Sequence, residues 1–224
     1  MSPLAFRERP PAGDPDGLLV LHHGRGADEH DLLGLADVLD PPRRLHVVTP
    51  AGPLTLPGWP GRHWYVVPRV GHPDPATFHA AFDALAQFHD QLWERTGVAP
   101  ERTVLGGFSM GTVMSWSLGL GAGRPAPAGV LAFSGFVPTV DGWAPDVPRP
   151  TRALIAHGRR DPVIPVTFAH AARALLERAG MDFEYHEGDG GHHIDPAHVP
   201  AAVSWLDATL PPERAVSPAR QPRA

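Results

Sequence analysis

The sequence predicts an α/β layer fold, a mostly parallel central sheet flanked by helices on both faces. Two observations carry this. Short apolar runs alternate along the chain with segments of helical periodicity. The middle runs are apolar on both faces, as strands covered by helices on either side must be. Length agrees: 224 residues, 42% of them hydrophobic, suit one domain with a substantial core.

Taken in order, an edge strand is expected near Leu4–Arg9, followed by a turn. Core strands are expected at 18–22 (LLVLH), 45–49 (LHVVT), 103–108 (TVLGGF), 129–134 (GVLAFS), 153–157 (ALIAH) and 182–187 (DFEYHE). The clearest helix runs from Pro75 to Thr96. Phe78, Ala81, Phe82, Leu85, Phe88, His89, Leu92 and Trp93 share one face, and Gly97 and Pro100 end it. Further helices are expected after Thr112, over 165–179 and over 196–209, and an acid-rich helix start after Gly26. Segment 50–75 is rich in proline and glycine and contains GRHWYVV; so long an irregular stretch is often a functional loop. Residues 1–210 read as one domain. Residues 211–224 (PPERAVSPARQPRA) lack periodicity and read as a disordered tail.

Composition removes many chemistries. The net charge of -5 lacks the attraction that nucleic acid demands, and the arginine pairs Arg43-Arg44 and Arg159-Arg160 read as solvated surface. There is no cysteine, hence no disulfide, thiolate metal site or cysteine nucleophile. There is no lysine either, which removes Schiff-base chemistry and a phosphate-loop lysine. No apolar run approaches the length of a membrane span, and the N-terminus lacks a hydrophobic signal core, so a cytoplasmic location is the expectation. Serine assisted by one of the 14 histidines is the main covalent chemistry left.

Gly107-Phe108-Ser109-Met110-Gly111 fits the pattern G-x-S-x-G, between an expected strand and an expected helix. There the serine sits on a strained turn with its hydroxyl above the sheet, and the glycines avoid clashes with the neighbouring strand and helix. The competing account is a tight strand-to-helix connection built from small residues. Downstream order favours chemistry. Asp161 follows the expected strand at 153–157, where sites on open α/β sheets lie. His192 and His193 follow the last strand, in GDGGHHIDP, and only one of them can face the serine. An early His-Gly-x-Gly loop, His23 to Gly26, supplies a glycine-rich turn whose amides can serve an oxyanion. Neither the His192-His193 pair nor His22-His23 has the spacing of a metal site.

Together these segments, with LAFSGFVP at 131–138 and His157-Gly158-Arg159-Arg160-Asp161-Pro162-Val163-Ile164-Pro165, resemble the phospholipase/carboxylesterase family, the acyl-protein thioesterase-like branch of the α/β hydrolases. The resemblance spans roughly residues 15 to 210 and implies the α/β-hydrolase fold. It implies a Ser-Asp-His triad of Ser109, Asp161 and His192, with His192 rather than His193 as the base, and oxyanion amides at Arg25 and Met110. The reaction expected is hydrolysis of an ester or thioester of small or medium acyl length through an acyl-enzyme, with no cofactor and no metal. Lysophospholipids and acylated proteins are the alternative substrates, and a catalytically idle binding scaffold is the rival from another class. Many family members carry leucine at the position of Arg25 and glutamine at that of Met110, so pocket polarity differs here. Trp64, Phe136 and Val163 are the substrate-binding candidates, and a homodimer is compatible with the chain.

Overall fold

The computed structural model describes residues 4–212. Its elements in chain order are β1 (Phe6–Arg9), β2 (Gly17–His22), α1 (Leu33–Leu39), β3 (Leu45–Pro50), α2 (Pro75–Thr96), β4 (Thr103–Phe108), α3 (Met110–Leu120), β5 (Gly129–Phe133), β6 (Arg152–Gly158), α4 (Thr167–Ala179), β7 (Phe183–Gly188) and α5 (Val199–Thr209). The strands form one sheet in the order β1-β3-β2-β4-β5-β6-β7. Only the β1–β3 pair is antiparallel; every other neighbour is parallel.

Period-two alternation decides which side chain goes to which face. Leu18 and Val20 of β2 pack with α2 and α3, whereas Leu19 and Leu21 pack with α1 and α5. Along β5 and β6, Val130, Ala132, Ala153 and Ile155 meet α3 and α4, and Leu131, Phe133, Leu154 and Ala156 face α5. Both faces are therefore covered, and the side chains of Trp116 and Trp205 are almost wholly buried on opposite sides. Burial of each such large apolar side chain contributes about 1.5–3 kcal/mol.

Helix ends follow local chemistry. The Asp74 carboxylate accepts the Thr77 N–H at the start of α2, and Gly97 closes the helix in a left-handed conformation at φ 68°. Two expected helix starts differ most. No helix begins directly after Gly26: the Asp28 carboxylate accepts the His30 N–H at 2.9 Å, which holds 28–32 in turns, and α1 starts at Leu33. The last helix opens with a 3-10 turn over Pro196–His198, capped by the Asp195 side chain, before α5 proper. Residues 211 and 212 are exposed and irregular; the rest of the expected tail, 213–224, lies outside the described residues.

The strand order reverses across the β2–β4 pair: β3 lies on one side of β2 and β4 on the other. That reversal opens a crevice beyond the carboxyl ends of the strands. The segments after β2, β4 and β6 all emerge there, and they carry Arg25, Ser109 and Asp161.

Candidate active site

Ser109 follows the last residue of β4 and precedes the first of α3. Its backbone stands at φ 54°, ψ -118°, a conformation that costs a non-glycine residue on the order of 1–3 kcal/mol. Surrounding contacts enforce it. The Ser109 N–H donates to the Phe133 carbonyl at 3.0 Å, and the Thr112 hydroxyl lies 2.6 Å and 2.7 Å from the Gly107 and Phe133 carbonyls. The flanking glycines are sterically required. A Cβ at Gly107 would meet the Gly111 carbonyl carbon at 2.5 Å, and one at Gly111 would meet the His22 carbonyl oxygen at 1.9 Å.

Three side chains from separate loops meet at this turn. The His192 Nε2 lies 2.9 Å from the Ser109 hydroxyl, and its Nδ1 lies 2.7 Å from Asp161 Oδ2. A carboxylate at Nδ1 fixes the tautomer: Nδ1 carries the proton and Nε2 is free to accept one. Asp161 is held in turn. Its Oδ1 accepts the N–H groups of Val163 and Ile164, each at 2.8 Å, and its side chain is fully buried. The Phe108 ring packs 4.9 Å from the imidazole of His192. His193 is exposed and its backbone N–H closes a turn on Gly191, so of the adjacent pair His192 is the one that faces the serine.

Sequence reasoning placed His157 in a motif but gave it no role. It is buried at the end of β6, its Nε2–H donates to the Ile164 carbonyl at 2.8 Å, and Nε2 lies 3.4 Å from Asp161 Oδ2. Burial lowers its pKa, which keeps it neutral and able to brace the 161–164 loop without adding charge. The available signal was its position four residues before Asp161, in His-Gly-x-x-Asp.

Ser109 and His192 open onto a cleft of about 420 Å³. Arg25 and Met110 line it. Among the described residues neither of their backbone N–H groups has an acceptor, so both are available to a bound oxygen. Phe136 and Val163 are on the cleft wall, joined by Tyr65, Val67 and Ile164. Trp64 is not. It is fully buried, packs in the core and donates its indole N–H to the His23 carbonyl at 2.9 Å. Its neighbour Tyr65 takes the lining position. The Arg25 guanidinium is stacked 4.1 Å above the ring of Trp59, an exposed residue of the 50–75 segment. Among the described residues no helix is long and apolar enough to cross a membrane.

Comparison with known proteins agrees with this architecture. The sequence profile of the family described as Phospholipase/Carboxylesterase matches residues 9–210. Acyl-protein thioesterase 1 of Gibberella zeae is 31% identical over 134 residues, 56% of this chain and 57% of that protein. The aligned stretch thus spans little more than half the length of that relative, while Acyl-protein thioesterase 1 of Emericella nidulans aligns over 71% of each chain at 25% identity. Among solved structures, esterase PE8 superposes with a TM-score of 0.79 at 28% identity, covering 93% of this chain and all of that one. The Bacillus cereus carboxylesterase gives a TM-score of 0.82 at 23% identity, covering 92% and 94%. A family match across nine-tenths of the chain, on a seven-stranded α/β-hydrolase sheet, leads to one conclusion: this chain belongs to the phospholipase/carboxylesterase family of serine hydrolases.

Proposed function

We propose that the protein hydrolyses carboxylic esters or thioesters of small or medium acyl length, with Ser109 as nucleophile, His192 as general base and Asp161 as its orienting carboxylate. The observation that carries this reading is the unbroken chain of contacts from the Ser109 hydroxyl through His192 to Asp161, at 2.9 Å and 2.7 Å, on the floor of an apolar-walled cleft. As the Ser109 oxygen attacks the substrate carbonyl, its proton passes to His192 Nε2, and the Asp161 carboxylate stabilises the resulting imidazolium. The carbonyl oxygen gains the negative charge and is received by the amides of Arg25 and Met110. The imidazolium gives its proton to the departing alcohol or thiol. Water, deprotonated by His192, then attacks the acyl-enzyme and releases the acid.

Val67, Phe136 and Ile164 suit the acyl portion, since they are apolar residues of the cleft wall. No cofactor enters the scheme. The thioesterase names of the relatives support thioesters as a second substrate class.

The test is Ser109→Ala assayed with p-nitrophenyl butyrate. Loss of the nucleophile in a triad enzyme costs on the order of 10⁶ in turnover, so activity is expected to fall to background. Turnover within tenfold of the parent protein would overturn the assignment. A chain-length series of p-nitrophenyl esters beside a palmitoyl thioester then sets the acyl preference.

A further inference from the structure

We infer that His23 is a positioning residue that aims the oxyanion-binding amide of Arg25. The inference rests on the serine-hydrolase reading above and adds to it a function for a buried histidine outside the Ser109, His192 and Asp161 set.

The geometry is specific. The peptide that joins Gly24 to Arg25 carries the Gly24 carbonyl at one end and the Arg25 N–H at the other. The only cis peptide among the described residues is Val147-Pro148, so this one is trans, and its C=O and N–H point in opposite directions. Whatever fixes the carbonyl therefore fixes the N–H. The Gly24 oxygen lies 2.7 Å from His23 Nδ1. The Gly52 N–H donates to His23 Nε2 at 2.9 Å, which occupies the lone pair there and leaves the ring proton on Nδ1. His23 Nδ1–H thus donates to Gly24 O, and the opposite end of that peptide, the Arg25 N–H, is left free at the cleft. A longer bond from the Ala27 N–H to the same carbonyl, at 3.3 Å, closes the turn but leaves the shorter contact to His23.

The ring is itself immobilised. His23 is almost fully buried, with the Trp64 ring 5.0 Å away and the Trp64 indole N–H on the His23 carbonyl. An oxyanion donor contributes only when it is aimed before the charge develops. A side chain that locks the peptide plane therefore acts on the transition state and leaves ground-state binding alone.

Three variants separate this role from simple packing. In His23→Asn the amide nitrogen sits as many bonds from Cα as Nδ1 and keeps the donor to Gly24. In His23→Gln the amide group sits instead where Nε2 was, and that donor is lost. His23→Phe keeps the ring and removes both polar contacts. The readouts are kcat and KM for p-nitrophenyl butyrate and the inhibition constant of an aliphatic trifluoromethyl ketone. Ser109 Oγ adds to that ketone, its proton goes to His192, and the ketone oxygen becomes an oxyanion held by the Arg25 and Met110 amides. Removing one oxyanion donor outright costs about 10²–10³ in kcat, so misaiming it is expected to cost about 10- to 100-fold. We expect that loss in kcat for His23→Gln and His23→Phe, an equal weakening of ketone binding, KM within about threefold, and recovery to within about fivefold in His23→Asn. Should His23→Phe fail to fold by circular dichroism, the Asn and Gln pair decides. An Asn variant as impaired as the Gln variant, or losses confined to KM with ketone binding unchanged, would overturn the inference. A parent protein that forms no Ser109-dependent ketone adduct refutes instead the reading on which it rests.

Discussion

A methyl group on Gly111 would stand 1.9 Å from the His22 carbonyl oxygen and 2.6 Å from that of His23. Both are backbone atoms of β2 and the loop after it, so no side-chain rotation can relieve the contact. Gly111→Ala must therefore push α3 off the sheet and carry Ser109 with it. The expected cost is at the upper end of the roughly 1–3 kcal/mol typical of overpacking, with loss of esterase activity; urea denaturation and ester turnover measure the two. Gly34→Ala is the control, since nothing lies within 4 Å of its Cβ and it sits in α1, where alanine is favoured over glycine by up to about 1 kcal/mol. An equal loss in both variants would contradict the steric account. At this scale the sequence was legible where a residue type and its order in the chain together restrict the chemistry. Ser109, Asp161 and His192 lie as the motif order requires. It was not legible where only side-chain direction decides: nothing in Trp64-Tyr65 states which ring turns inward, and nothing in His23 states that its ring folds back on the next carbonyl.

The 50–75 segment braces the loop after β2 through contacts remote in sequence. Gly26 N–H donates to the Arg62 carbonyl at 2.9 Å and Arg62 N–H to the Ala27 carbonyl at 2.7 Å, forming a small antiparallel bridge. Arg25 stacks on Trp59 beside it, and Gly52 holds His23. The glycine and proline content marked this stretch as a loop with a purpose, but its partner could not be read, because the Gly26, Ala27 and Arg62 hydrogen bonds run between backbone groups and leave no trace in residue type. Two glycines within it allow a clean comparison. Gly58 and Gly61 both have positive φ, at 77° and 64°, so alanine at either is strained by its backbone alone. Only at Gly61 does the new Cβ also collide, 2.0 Å from the Gly26 carbonyl oxygen; at Gly58 nothing is within 4 Å. Gly61→Ala is expected to lower kcat by at least tenfold more than Gly58→Ala, through displacement of the Gly24–Ala27 turn. Equal kcat in the two variants would show that the brace does not set the site.

Across the whole molecule, the covered sheet buries several imidazoles, and these couple the fold to pH. His22 ends β2 beneath α3. Its Nδ1 lies 2.8 Å from the Ser115 hydroxyl and its Nε2 lies 3.3 Å from Nε2 of His89 on α2. The Ser115 hydroxyl has one proton, which goes to the Gly106 or Gly111 carbonyl at 2.9 Å or 3.0 Å. It therefore accepts from His22 Nδ1–H, and the bare Nε2 of His22 accepts from His89 Nε2–H. Both rings are neutral, and a further proton on His22 would set two N–H groups against each other. Burial is the main cause that lowers the pKa of His22 well below 6.5, assisted by the adjacent His89 and His23, and burial with the nearby Arg124 lowers His89 to about 3. For a base whose pKa falls on folding, the unfolded chain holds more protons than the folded one below its own pKa. Stability is thus complete above about pH 6.5 and is lost as pH falls below it. Each such histidine contributes a slope of about 1.4 kcal/mol per pH unit once the unfolded form is protonated. Between pH 5.5 and 4.5 most unperturbed carboxylates are still ionised, so the imidazoles dominate there; His23 and His157, also lowered by burial, add to the slope. His89→Gln keeps a donor for His22 and removes one titrating base. The dependence of unfolding free energy on pH in that window, from urea titrations, is expected to flatten by about 1.4 kcal/mol per pH unit relative to the parent. A slope unchanged in His89→Gln would mean that His89 takes up no extra proton when the chain unfolds.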